Sequence, residues 1–140
     1  KTLAGVIGGD LFEIRPQTAY TAADLDWNNA KSRSSVEMND PKSRPAMVET
    51  PRLAGYDTVF VGFPIWWYQA PRIIQTFLES ADFSGKTVIP FATSGGSGMG
   101  KTVELLRSSC APDTRWNEGK RLSSHASAQE VSAWTKSLSL

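Results

Sequence analysis

The apolar positions of the chain gather in its second half, where they repeat with two distinct periods. Thr58-Val59-Phe60-Val61-Gly62-Phe63 is a short, nearly continuous apolar run, which predicts a strand buried on both faces. Thr87-Val88-Ile89-Pro90-Phe91-Ala92 predicts a second such strand. Pro90 has no N–H to give a ladder, so an irregularity or a free side is expected there. Between the two runs, Pro71 suits the first turn of a helix, and Ile73 with Phe77 and Ile74 with Leu78 make one apolar stripe. A glycine-rich turn, Gly95 to Gly100, opens a further helix in which Met99, Val103, Leu106 and Cys110 share a face. Arg115 to Leu122 reads as a last, edge strand. Ser127, with Glu130 three residues on, predicts a capped final helix whose apolar face is Val131, Trp134 and Leu138.

The first half is less regular. Gly8-Gly9 is a turn signal, Asp10 to Ile14 alternates well enough to predict a strand, and Pro16 ends it. Residues 17–50 are polar and rich in Ser, Asn, Asp and Pro; one short helix fits there, around Ala22 to Asn28, with Thr21 as its cap. So long an irregular stretch is either functional or poorly ordered. The alternation of buried strand and amphipathic helix predicts an α/β fold, a parallel sheet wrapped by helices on both faces. In such sheets ligands bind beyond the carboxyl ends of the strands. Two loops lie at such ends, 64–69 and 93–98.

Length and charge narrow the function classes. The 140 residues are the size of a single domain, 1–140. Fifteen basic against fourteen acidic side chains give a net charge of +1, which argues against a dedicated nucleic-acid surface. The single Cys110 excludes an intrachain disulfide framework and suits a reducing, cytoplasmic setting. No apolar run is long enough to span a membrane, and no signal peptide is visible. A start at Lys1 rather than Met leaves room for a removed leader.

Both strand-end loops carry unusual chemistry. In Pro64-Ile65-Trp66-Trp67-Tyr68, three consecutive aromatics cannot all point into one core, so at least one is expected outside, as a platform for a flat ring. Packing over the following helix, or a sugar or protein partner, would use the same residues. In Thr93-Ser94-Gly95-Gly96-Ser97-Gly98, small residues let the backbone approach a ligand closely, and hydroxyls and amides offer donors. A tight strand-to-helix turn has the same composition. Gly95 to Thr102 also fits the phosphate-loop pattern G-x-x-x-x-G-K-[ST] in the required strand-to-helix context. An NTPase would use Lys101 on the terminal phosphates and Thr102 on Mg²⁺, but no later apolar strand ends in the Asp that would hold the metal. His125 lies in a polar loop without partners, Cys110 ends an apolar stripe, and no pair of residues has metal-ligand spacing. No metal site and no catalytic acid, base or nucleophile is expected.

From about Asp57 to Leu122 the sequence resembles the flavodoxin family, in the branch with a Pro-x-Trp-Trp loop after the third strand. The residues that carry the likeness run from Tyr56 to Trp67, then Ala70-Pro71-Arg72, Phe77-Leu78-Glu79, and Phe83 to Gly98. Gly9 to Ile14, Asp24 to Asn28 and Ser32 to Ser35 look like the same branch. The resemblance implies a three-layer sandwich around a five-stranded parallel sheet of order 2-1-3-4-5, with FMN at the switch point. It implies Trp66 or Trp67 against the isoalloxazine, with Thr93 to Gly98 giving donors to its polar edge and Trp27 as a candidate cover. The implied activity is FMN-dependent electron transfer, with redox partner proteins or small electron acceptors.

Two features depart from the family pattern. The first strand and its Thr-Gly-Asn-Thr phosphate loop have no match here; Lys1-Thr2-Leu3-Ala4 looks like the end of the first helix, running into the second strand. The expectation is a domain incomplete at its N-terminus, or one whose missing strand comes from another chain. The family's electron shuttles are strongly acidic, whereas this chain is near neutral, which leaves room for an NAD(P)H-dependent quinone-type reductase on the same fold. A domain that has lost flavin and serves only as an interaction module is the non-catalytic alternative.

Overall fold

The central pair of strands forms where the two apolar runs predict them: β1 covers Thr58–Pro64 and β2 covers Thr87–Thr93. The structure is a computed structural model that describes residues 2–93, 99, 101–123 and 125–138. β1 and β2 pair in parallel and in register from Thr58 opposite Thr87 to Pro64 opposite Thr93. Alternate side chains fall on opposite faces, so each strand feeds two cores. Val61, Phe63, Val88 and Ala92 pack with Ile73, Ile74, Phe77 and Leu78 of α3 (Arg72–Glu79) and with Leu106 of α4 (Thr102–Arg107). Phe60, Ile89 and Phe91 pack on the other face with Leu3 of α1 (Thr2–Ile7) and Trp134 of α5 (Ala128–Ser137). The result is the expected three-layer α/β sandwich. Leu78, Val88 and Ile89 are almost wholly enclosed, and burying each such side chain contributes about 1.5–3 kcal/mol.

Two glycines make this packing possible. A Cβ on Gly62 of β1 would overlap the ring of Phe91, its partner across the pair, so the ring lies flat over the strand only because no side chain is there. The edge predicted over Arg115 to Leu122 is broken into β3 (Arg115–Trp116), paired with Thr87 and Val88, and β4 (Lys120–Leu122), paired with Phe91 to Thr93. The gap faces Ile89 and Pro90. There Gly119 takes φ +80°, and a Cβ on it would meet the Pro90 carbonyl. The irregularity expected at Pro90 is therefore in its neighbour: the chain bulges past a residue that cannot donate.

The final helix is capped as predicted, with Ser127 Oγ accepting from the Glu130 N–H and with Val131 and Trp134 buried. Trp134 meets Phe60 and Phe91 edge-on at 5.8 and 5.9 Å. The helix after the glycine-rich turn is shorter than its stripe suggests and begins only at Thr102.

The first half corrects two expectations. Asp10 to Ile14 pairs with no strand; the nearest ladder contact is an isolated bridge from Pro16 to Met47. Alternation alone cannot make a strand without a partner edge. Residues 22–28 form turns rather than a helix, although Thr21 and Asp24 bond reciprocally as a capping box would. The helix of this segment is α2, Arg33–Asn39, capped by Ser32, whose Oγ accepts from the Ser35 N–H. The buried side chains of α2 are Ser34, Ser35 and Met38, too polar a face to mark it in the sequence. α1 is helical as the resemblance implies, but no strand lies between it and β1 among the described residues.

Along its other edge β1 has no partner strand among the described residues. A groove of about 1160 Å³ runs there, bounded by Leu3 and Ile7 of α1, by Phe60, and by Val61, Ile73 and Phe77. This is the place the family order gives to its first strand.

Candidate functional site

The two loops of interest begin side by side, because Pro64 and Thr93 are the last paired residues of β1 and β2. The Ile65 N–H donates to the Thr93 carbonyl at 3.3 Å, carrying the pairing one residue past the strand. The chain then turns back sharply. The Trp66 N–H donates to the Gln69 carbonyl at 2.8 Å and the Gln69 N–H to the Trp66 carbonyl at 3.0 Å. Between them Trp67 and Tyr68 take φ +47° and +63°. Two successive positive φ values in a two-residue turn are the type I′ geometry, which Asn-Gly usually supplies. Held by side chains with a Cβ, such a conformation costs roughly 1–2 kcal/mol per residue.

Tyr68 is 73% exposed, so its ring returns little of that cost. Tyr68→Gly is accordingly expected to raise the midpoint of thermal unfolding by about 2–4 °C, as relief of about 1 kcal/mol does in a domain of this size. A midpoint unchanged or lowered in a thermal melt would show that the turn is not strained.

Above this turn lies a cavity of about 450 Å³, walled by Leu25, Trp27, Ser34, Pro64, Ile65, Trp66 and Trp67. It sits at the carboxyl end of a parallel sheet, where ligands of such sheets bind. Its walls are apolar and aromatic, and none of the described residues that line it is charged. The polar 17–50 segment supplies three of the seven. Leu25 and Trp27 are delivered by the turns after Thr21, and these are tied to α2 by the Ser34 N–H donating to the Asp24 carbonyl at 2.9 Å. Ser34 is itself buried, its hydroxyl 3.5 Å from that of Ser32.

α2 is anchored from below by Arg72, the first residue of α3 and 6% exposed. Its Nη2 donates to the Met38 carbonyl at 2.7 Å and its Nε to the Glu37 carbonyl at 3.2 Å, which also takes the N–H of the C-cap Asp40 at 3.2 Å. Nη1 donates to Gln69 Oε1 at 3.2 Å, which links the anchor to the aromatic turn. Burial first, and the charge of Arg44 second, hold this guanidinium below its usual pKa.

A second cluster borders Trp66. Tyr20 meets the indole edge-on, with centroids 5.6 Å apart and planes at 79°. Its hydroxyl donates to Glu37 at 2.5 Å, and the Arg33 guanidinium stands 3.8 Å above its ring. Arg33 also pairs with Glu37 at 3.0 Å. Burial, then the hydrogen bond to Glu37, push the Tyr20 phenol well above its ordinary pKa, so it stays protonated.

The sequence candidates separate into groups. Pro64, Ile65, Trp66 and Trp67 come together on one cavity, whereas Tyr68 points out of it and Thr93 lies at the strand end without lining it. Ser94, Gly95, Gly96, Ser97 and Gly98 lie outside the described residues, as does Gly100. Thr102, the Mg²⁺ ligand of the phosphate-loop reading, is fully buried, and its hydroxyl donates to the Met99 carbonyl at 2.5 Å with Tyr68's at 3.4 Å. A hydroxyl enclosed in this way does not face a metal–phosphate complex. Cys110 is half-buried, and burial, with the charge of Glu79, pushes its thiol up to about 11, unlike a nucleophile. His125 is exposed. Among the described residues no group of three His, Cys, Asp or Glu could hold a metal ion, and no helix is long and apolar enough to cross a membrane. Leu25, Ser34 and Tyr20 escaped the sequence reading. Leu25 and Ser34 fall in stretches that carry the resemblance, and Tyr20 is an isolated aromatic in a polar segment, but nothing local marks them as neighbours of a cavity.

The family model of flavodoxin matches residues 1–138. A solved structure from Bacteroides eggerthii DSM 20697, described as a "putative flavoprotein", is 49% identical and superposes with a TM-score of 0.91, over 99% of this chain and 87% of its own. Another, from Bacteroides uniformis ATCC 8492 and described in the same words, is 51% identical with a TM-score of 0.90, over 96% of this chain and 86% of its own. A comparison with curated proteins gave no match. With a family match along nearly its whole length and the parallel sheet to support it, this chain belongs to the flavodoxin family.

Proposed function

We propose that the chain binds FMN with the isoalloxazine in the cavity above the Trp66–Gln69 turn, and that it works as an electron carrier. The observation that carries this reading is the cavity itself: uncharged, lined largely by apolar and aromatic side chains, and placed where two parallel strands end. Its size and lining fit an aromatic ring system. Trp66 and Trp67 offer faces to stack on, Pro64, Ile65 and Leu25 keep water from the ring, and Ser34 offers a hydroxyl to a polar edge. No cationic side chain among the described residues lines the cavity, so the ring is the part of FMN that these walls fit.

When bound, FMN supplies the one- and two-electron chemistry that no side chain here provides. The chain's part is to orient the ring and to set the cost of charging it. Apolar walls disfavour an added negative charge, and the near-neutral protein does little to offset this. Redox proteins or small electron acceptors in the cytoplasm are the partners that this reading implies.

Titration of the full-length protein with FMN is the direct test. Binding should quench flavin emission and yield a yellow protein on gel filtration. Emission that stays that of free FMN at micromolar protein would overturn the reading.

A second reading, an NAD(P)H-dependent quinone-type reductase, is favoured by one observation. Trp27 and Tyr68 stand 69% and 73% exposed beside the cavity, an apolar rim suited to a flat acceptor. Steady-state NADPH oxidation in the presence of a quinone separates the two, because a carrier alone shows almost none.

A further inference from the structure

We propose that Tyr20, held in place by Glu37 and Arg33, is a positioning residue that fixes the orientation of the Trp66 indole against the flavin ring; this rests on the flavin reading above. The turn fixes the backbone of Trp66 but leaves its side chain two rotatable bonds, and the indole is only half-buried. Stacking on a flat ligand needs one orientation of those bonds. The edge-on contact with Tyr20, 5.6 Å between centroids at 79°, provides a stop against which the indole rests.

A stop is useful only if it is itself held. Tyr20 is held at its hydroxyl, which donates to Glu37 at 2.5 Å, and across its face, 3.8 Å from the Arg33 guanidinium. Arg33 is fixed in turn by Glu37 at 3.0 Å and by the Thr18 carbonyl at 2.6 Å, two residues before Tyr20. Both charged residues stand four apart on α2, which Arg72 ties to α3. Charge-assisted contacts therefore run from α3 through α2 to Tyr20, whose ring in turn meets the indole of one cavity wall. Arg33 and Glu37 cancel in charge, so the cluster adds little net field at the cavity, and its effect on a bound ring is one of geometry.

The test uses the full-length protein titrated with FMN, following both the dissociation constant and the emission of bound flavin at saturation. Trp66→Ala, Tyr20→Leu and Glu37→Gln are compared with the wild type. Tyr20→Leu is expected to raise the dissociation constant by about three- to tenfold, the range that loss of an aromatic pair gives, and to leave the bound flavin brighter. A purely structural Tyr20 would lower the melting midpoint without changing the emission of the flavin that still binds. Glu37→Gln keeps the ring and loosens its hold, so a smaller rise in bound-flavin emission is expected; this variant decides the matter should Tyr20→Leu not fold. Wild-type affinity and quenching in Tyr20→Leu, or in Glu37→Gln where it alone folds, with both impaired in Trp66→Ala, would overturn the positioning role and leave the flavin site standing. A Trp66→Ala variant that binds and quenches like the wild type would remove the stacking on which the proposal depends, and so overturn it.

Discussion

Replacing Trp66 by alanine is expected to weaken FMN binding by on the order of 1–3 kcal/mol, a factor of roughly 5 to 150 in the dissociation constant. The same range is expected for Trp67→Ala. Each indole walls the cavity, and each presents a large polarisable face to a ring that would otherwise be in water. The two substitutions differ in their effect on folding. Trp66 is half-buried, whereas Trp67 is 37% exposed on a residue of positive φ, and an alanine there keeps the strained backbone while giving up the buried part of the ring. Fluorescence titration paired with a thermal melt separates loss of stacking from loss of fold. Affinities within twofold of the wild type in both variants would place the flavin elsewhere.

The second large effect is expected at Arg72. Arg72→Met keeps the apolar stem but removes every donor, leaving the Met38 carbonyl at the end of α2 without its partner and the Glu37 carbonyl with the Asp40 N–H alone. Hydrogen bonds from a charged donor contribute about 1.5–3 kcal/mol each, so the loss in unfolding free energy should be on the order of 3 kcal/mol. Urea denaturation measures it directly, and a loss below about 1 kcal/mol would mean that water replaces the guanidinium at little cost. Arg72→Lys should recover only part, because an ammonium cannot bridge two carbonyls and Gln69 as a planar fork does. Gln69 closes the aromatic turn, so weaker FMN binding should accompany the loss of stability.

The regular half of this molecule was legible because its elements follow from local pattern. The runs 58–63 and 87–92 are too apolar to be anything but buried, and Ile73, Ile74, Phe77 and Leu78 can share a face only on a helix. The capping pair Ser127 and Glu130 marked the start of α5. The first half failed for reasons that are equally local. Thr21 and Asp24 do form the bonds of a capping box, but the turns that follow are held by Asp26 and Asn29 side chains bonding to nearby N–H groups, which compete with a helix. α2 was missed because its buried side is serine, whose environment depends on what packs over it. Of the cavity, the loop 64–67 could be read because three adjacent aromatics cannot all be buried. Trp27 was a candidate cover through the resemblance alone; Leu25 and Ser34 come to the same wall through contacts made by Arg72 and Asp24 across the fold, which no local window contains.

Among the described residues the unpaired edge of β1 is composed unlike that of an outermost strand. From Thr58 to Phe63 it has no charged side chain and no proline, and among the described residues no bulge turns it away. Natural sheets protect their outermost strands with those devices, because alternate N–H and C=O groups along an open edge template the addition of any extended segment. A run of this composition is that of an interior strand, which a neighbouring strand covers on each side. The same apolar residues that organise the core are thus suited to pair along both edges of β1.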